Sequence, residues 1–260
     1  MTAKNLFDLT GKTALVILTG EGGLGDVQAI GLAECGADVI VASTEHEAAN
    51  NISKKIKEIG KQTLALNVDV TQESSVEDMT KKILSEFPRI DVLINDFSTR
   101  IRHPATDFPI EEWQQVMDYN IRGCFICCKA VGRGMVKQQS GKIINHSSVR
   151  GQYGLPGGYA AYCSSKGAID TLTKQLAVEW APHNIQVNAI APTFVETPEK
   201  PGDAFAETDQ KFIDMVTARI PMGRWGKLGD YVGPAIFFAS DASSFVTGQT
   251  LYVDGGVTSW

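Results

Sequence analysis

Short apolar runs alternate with stretches of helical spacing along nearly the whole chain, and that alternation restricts the fold more than any other feature. The runs 13–18, 38–42, 63–68, 91–94, 142–145, 186–190 and 250–253 have strand length and are rich in β-branched residues. Between them lie helical patterns: Ala29, Ile30, Leu32 and Ala33 closed by Gly36, then 48–59, 76–87, 111 to about 136, and 161–180. Strands separated by helices pair in parallel, with the helices as crossovers. The expected class is therefore α/β, a doubly wound parallel sheet with helices on both faces.

The chain has 260 residues and no proline-rich, serine-rich or charge-rich linker, so residues 1–260 are expected to form a single domain. A net charge of -6 repels phosphate backbones and anionic lipid, which argues against nucleic acid and membrane as partners. Residues 1–9 lack the apolar core of a secretory signal and no later run approaches a membrane span, so a cytoplasmic location is expected. Five cysteines without a secretion signal argue against a disulfide framework. Cys124, Cys127 and Cys128 fall inside a helical pattern with no second Cys or His pair at zinc spacing, so they read as core packing and no metal is expected.

In sheets of this kind ligands bind beyond the carboxyl ends of the strands, where strand order reverses. The first such loop reads Thr19-Gly20-Glu21-Gly22-Gly23-Leu24-Gly25, between a strand and a helix. Glycines there let backbone amides approach a diphosphate, and the positive end of the helix dipole favours its charge. A dinucleotide is the expected ligand, with a plain βα turn as the alternative.

Chemistry concentrates later in the chain. Tyr162 and Lys166 stand four apart at the start of an apolar helix, so both lie on one face. A tyrosine can exchange a proton near neutral pH when a neighbouring ammonium stabilises its phenolate. Such a pair alone is common by chance, but here it follows a strand ending in Ser147-Ser148. Trp113, Val116, Met117 and Asn120 share a helical face, which places a polar amide among core residues.

These segments resemble the classical short-chain dehydrogenase/reductase family, a Rossmann-type fold, across nearly the entire chain. The resemblance rests on Ala160-Ala161-Tyr162-Cys163-Ser164-Ser165-Lys166-Gly167-Ala168, Asp118-Tyr119-Asn120-Ile121-Arg122-Gly123, Val187-Asn188-Ala189-Ile190-Ala191-Pro192 and Val253-Asp254-Gly255-Gly256. Within the family the chain is similar to gluconate dehydrogenase-like members. The resemblance implies hydride transfer between a nicotinamide and a carbonyl or secondary alcohol. Tyr162 would be the acid or base and Lys166 its cationic neighbour. Ser148 would hold the substrate oxygen, with Ser147 as a substitute, and Asn120 would anchor a proton relay. Ser148 precedes Tyr162 by one residue more than the commonest spacing, and the additional residue is expected in the turn at Gly157, Gly158 and Tyr159.

The cofactor residues implied in the same way are Gly20, Gly23, Leu24, Gly25, Ser43, Thr44, Asp69, Val70, Asn95, Tyr162, Lys166, Pro192, Val195 and Thr197. Ser43 and Thr44 replace the acid that would exclude NADP, so the cofactor is read as NAD(P) with a slight lean to NADP. The family pattern fails in the first half. The glycine loop is one residue short, Glu21 and Asp26 put carboxylates beside the expected diphosphate, and Asn95-Asp96-Phe97-Ser98 stands where the family has Asn-Asn-Ala-Gly. Those departures predict weakened dinucleotide affinity and motivate a second reading, a nucleotide-binding or structural relative with little turnover.

A substrate lid is expected at about 193–222, with Phe212, Ile213, Val216 and Ile220 as its apolar face. Arg100, Arg102, His103, Arg150, Gln152 and Tyr159 would give the pocket a polar, cationic lining suited to a sugar acid. The family's usual assembly implies a homotetramer in which Arg133 and the long helix from Glu111 face another subunit.

Overall fold

Residues 2–197 and 210–260 are described by the computed structural model. In strand β1 (Thr13–Leu18), Ala14, Val16 and Leu18 face one side of the sheet while Leu15 and Ile17 face the other, and all five are buried. A strand apolar on both faces needs a cover on each, which the helices supply.

On one face β1 packs with α1 (Leu24–Glu34), α2 (His46–Glu58) and, near the chain's end, α8 (Val232–Ala239). The opposite layer is built from α3 (Glu73–Glu86), α5 (Gly123–Gln138) and α6 (Ala160–Trp180). Ile17, Ile40, Leu93 and Cys127 in that layer are 0% exposed, so each contributes roughly 1.5–3 kcal/mol for a fully buried aliphatic side chain, less for the smaller cysteine.

The remaining strands of the main sheet are β2 (Asp38–Ser43), β3 (Thr63–Asn67), β4 (Val92–Asp96), β5 (Gly141–His146), β6 (Ile185–Pro192) and β7 (Thr250–Val253). They lie in the order β3-β2-β1-β4-β5-β6-β7, and every pairing is parallel. The chain winds outward from β1 to β3 and then returns to β4 on the other side of β1. The crevice between β1 and β4 is the reversal point at which doubly wound sheets bind their ligands. Leu18 is level with both Ser43 and Asp96, so the loops after β1, β2 and β4 leave the sheet together.

The expected continuous helix over 111–136 is interrupted. Helix α4 (Ile110–Met117) passes into a π-helical turn at Asp118–Arg122 before α5 begins. The widened turn surrounds Asn120, whose amide Oδ1 accepts from Thr99 N at 2.7 Å and whose Nδ2 donates to Thr99 O at 2.9 Å. Helical periodicity in sequence does not announce such a bulge, because the segments on either side each keep ordinary helical spacing and only the register between them shifts. Part of the expected lid, 198–209, lies outside the described residues. Its remainder includes α7 (Gln210–Thr217), and Phe212, Val216 and Ile220 pack with Phe194 and Trp225 in a small separate cluster.

Candidate active site

Two consecutive left-handed glycines, Gly157 at φ 103° and Gly158 at φ 86°, turn the chain into α6, in the segment expected to hold the additional residue. Gly158 O accepts from His103 N at 3.2 Å, and a side chain at Gly158 would lie only 2.5 Å from His103 O, so the approach requires glycine. Tyr162 then falls on the first turn of α6 and opens onto a cleft of about 860 Å³. One turn on, Lys166 is 2% exposed; its ammonium lies 5.7 Å from the Tyr162 ring centroid and donates to His146 O at 2.8 Å.

The two serines after β5 point in opposite directions. Ser147 Oγ donates to Lys166 O at 3.3 Å and faces α6. Ser148 Oγ accepts from Arg150 N at 3.1 Å, donates to Pro192 O at 3.4 Å, and lines the cleft with Tyr162. Asn120 is 0% exposed and sits behind them, its Nδ2 also donating to Ser165 Oγ at 2.9 Å. Loop 99, the π-turn and α6 are thereby tied through one amide.

The glycine loop forms the other end of the same cleft, with Gly20, Glu21, Gly22, Gly23 and Leu24 in its wall. Gly23 caps α1 with no side-chain hydrogen bond, leaving the positive end of the helix facing the cleft. Two carboxylates hold the neighbouring amides: Asp26 Oδ2 accepts from Gly22 N, and Asp96 Oδ2 accepts from Gly25 N. Gly22 has φ 88°, which favours glycine, and a side chain on Gly25 would lie 2.7 Å from Asp96 Oδ2. Glu21 turns outward to α2, bonded by Asn51 Nδ2 at 3.0 Å and paired with Lys55 at 3.5 Å.

Among the residues assigned to a cofactor, Gly20, Gly23, Leu24, Tyr162, Val195 and Thr197 line the cleft and the others do not. Ser43 Oγ donates to Thr19 O at 3.0 Å and Thr44 Oγ1 to the same oxygen at 3.4 Å. Asp69 closes its own turn onto Thr71 N at 2.9 Å, while Val70 is buried against the position of Gly123. Asn95 faces inward and donates to Asn145 Oδ1 at 2.9 Å beside Cys124 and Cys128. Pro192 contributes its carbonyl to Ser148.

Phe97 points away from the cleft, 5% exposed and edge-on to Tyr119 at 5.6 Å. Its bulk fills core and does not obstruct the site. Of the expected substrate-side residues, Arg100, Arg102, Arg150 and Tyr159 line the cleft. Arg102 donates to Tyr159 Oη at 3.0 Å and stacks over its ring. His103 instead binds Glu112 at 2.8 Å, and Gln152 is exposed away from the cleft.

Two residues went unnoticed in the sequence. Glu45 follows the hydroxyl pair after β2 and lines the cleft, its carboxylate so close to Gly20 that a side chain there would lie 2.6 Å from Oε2. Reading one residue further along that loop would have found it. His146 ends β5 and touches both halves of the site, through Lys166 on its carbonyl and Asp96 on its ring at 3.0 Å. No sequence spacing signals that contact, since the partners come from strands fifty residues apart.

The family model described as enoyl-(acyl carrier protein) reductase matches residues 19–258. The chain belongs to the short-chain dehydrogenase/reductase family. It is 38% identical over 255 residues to a 2-dehydro-3-deoxy-D-gluconate 5-dehydrogenase of Pseudoalteromonas atlantica, covering 96% of this chain and 97% of the relative. Gluconate 5-dehydrogenase of Gluconobacter oxydans is 37% identical, with 99% of each chain covered. Among solved structures, a gluconate 5-dehydrogenase from Burkholderia cenocepacia in complex with NADP and tartrate superposes with a TM-score of 0.92 at 36% identity, covering 100% of both chains.

As a short-chain dehydrogenase/reductase the protein is an NAD(P)-dependent oxidoreductase acting on a CH–OH group. The residues present fit a dinucleotide. The N-terminus of α1 lies at the cleft wall and offers a diphosphate site beside Asp96, and Gly23 has room for it, since a side chain there would meet only Asp96 Oδ2 at 3.9 Å. From that point the cleft continues to Tyr162 without interruption.

Proposed function

We propose that this short-chain dehydrogenase/reductase interconverts a secondary hydroxyl and a ketone on a sugar acid, with Tyr162, Ser148, Lys166 and Asn120 as its working set. One observation carries the reading: Tyr162 and Ser148 share a single cleft with the glycine loop, so a carbon held between the two hydroxyls can face a dinucleotide anchored at α1. The bound nicotinamide supplies or accepts the hydride. Ser148 Oγ hydrogen-bonds the substrate oxygen and fixes the carbon in place. Tyr162 gives that oxygen its proton in reduction and takes it in oxidation.

Lys166, buried and fixed to His146 O, puts a positive charge behind the tyrosine as its proton leaves. Asn120 Oδ1 keeps a lone pair beyond the one used by Thr99 N, and serves as the anchor of a relay towards Lys166. Gly20, Gly23, Leu24 and Gly25 hold the diphosphate end. Ser43 and Thr44 shape the loop beneath the ribose. Val195 and Thr197 close over the nicotinamide. The lean to NADP is supported by the NADP-bound relative and by the hydroxyls at Ser43 and Thr44, while Glu45 at the next position acts against it.

A sugar-acid substrate is supported by the relatives' activities and by Arg100, Arg102 and Arg150 in the cleft wall. Burial holds the Arg150 guanidinium below its usual value, so an anion arriving beside it would be favoured. Arg219 lines the adjoining cavity with Arg150. A single domain, a lid at about 193–222, a cytoplasmic location and a homotetramer complete the proposal, the location consistent with no helix among the described residues being long and apolar enough to cross a membrane. Nicotinamide absorbance followed with keto and hydroxy sugar acids, neutral polyols and apolar ketones tests the substrate class. Turnover should be confined to the sugar acids, and activity on apolar ketones alone would refute it.

A further inference from the structure

The weakest point of the dinucleotide site is its own charge. Asp96 ends β4 level with Leu18, and its Oδ2 holds the Gly25 amide in the first turn of α1. An ionised carboxylate at that position repels a diphosphate arriving at Gly23 and Leu24. A second feature answers it. His146, 5% exposed at the end of β5, places Nδ1 3.0 Å from Asp96 Oδ1 and Nε2 2.9 Å from Gln28 Oε1.

The sense of the Gln28 amide is fixed by its other end, since Nε2 points to Tyr231 O at 3.5 Å and leaves Oε1 towards the ring. Both ring nitrogens of His146 therefore face oxygen acceptors. Only the doubly protonated ring donates to both. The ring is thus set between a carboxylate on one nitrogen and the Gln28 carbonyl oxygen on the other.

We propose that His146 is a positioning residue: its imidazolium neutralises Asp96 beneath the glycine loop and thereby permits the dinucleotide diphosphate to approach α1. The inference rests on reading this cleft as a dinucleotide site. It also accounts for the acid at Asp96, which stands where the family pattern has asparagine, because the His146 ring is in reach to offset its charge. Through its backbone carbonyl the same residue seats Lys166, so the cofactor loop and the catalytic helix share one support.

The test is calorimetric titration of NADP and NAD into the wild type, His146→Gln, Asp96→Asn and the double variant, with melting curves confirming that each is folded. An uncompensated charge should weaken dinucleotide binding by about tenfold in His146→Gln, while Asp96→Asn binds at least as tightly as the wild type. The double variant should regain the affinity of Asp96→Asn, a rescue that a merely structural role for His146 would not produce. In kinetics the loss should appear in KM for the dinucleotide more than in kcat.

Nitrogen-15 spectra of histidine-labelled wild type give an independent readout. The signals lost in His146→Gln should report two protonated ring nitrogens at neutral pH. An unprotonated nitrogen on His146, unchanged binding in His146→Gln, or a double variant as weak as His146→Gln would each overturn the inference while leaving the site reading intact. Failure of the wild type to bind either dinucleotide would overturn the site reading, and the inference with it.

Discussion

The two ends of the cleft are built by different means. At the catalytic end, Tyr162 and Lys166 come from one helix and Ser148 from the adjoining strand end, so local spacing nearly determines their placement. At the dinucleotide end, the glycine loop meets carboxylates from elsewhere: Asp96 from β4 holds the Gly25 amide, balanced by His146 from β5, and Glu45 from the loop after β2 lies against Gly20. One end is specified along the chain and the other across the sheet. A sequence pattern can therefore fail at the second end without the site failing, provided the charges compensate.

That contrast can be broken at several points. Phe97 occupies a position where the family pattern has a small residue, yet it packs in the core, so Phe97→Ala should cost about 3 kcal/mol of stability and leave dinucleotide affinity unchanged once folded. Chemical denaturation and titration together check this. A gain in affinity on removing the ring would place Phe97 in the cofactor's path instead. Gly25→Ala would force Asp96 off the Gly25 amide, since the new methyl would lie 2.7 Å from Oδ2. Dinucleotide binding should fall about tenfold, equivalent to roughly 1.4 kcal/mol, with turnover at saturating cofactor largely kept.

Much of this architecture was legible beforehand, for reasons particular elements make plain. Strand β1 and the start of α6 announce themselves because burial on both faces and a Tyr-x-x-x-Lys pair on one helical face leave periodic traces. The π-turn at Asn120 left none. Nor did the outward turn of Glu21 to Lys55 or the inward turn of Asn95 to Asn145, since both depend on partners thirty to fifty residues away. The sequence thus showed the acids of that loop but not the groups they face. The resemblance favoured Ser148 and kept Ser147 as a substitute, and their hydrogen bonds separate them, with Ser147 turned to α6 and Ser148 to the cleft.

Two smaller effects sharpen the same contrast. Glu45 lines the dinucleotide end and should repel a ribose phosphate, so Glu45→Gln is expected to shift the ratio of kcat/KM values towards NADP by about fivefold. A shift towards NAD would contradict its placement. At the far end of β5, burial lowers Lys142 to about 8. Its charged form is disfavoured in the folded state, so Lys142→Met should be more stable than wild type below pH 8. The difference should shrink as pH rises from about 8 towards the unfolded value of about 10.5, where both states lose the proton. Melting curves across that window check the sign, and neither dinucleotide binding nor turnover should change.

The claim on which all of this depends is that a phenol at one end of the cleft exchanges protons with a substrate facing a dinucleotide at the other. Turnover and dinucleotide affinity measured side by side for wild type and Tyr162→Phe test it directly. The variant should bind dinucleotide like the wild type while its turnover falls by about a thousandfold. Equal turnover in the two proteins would contradict the assignment.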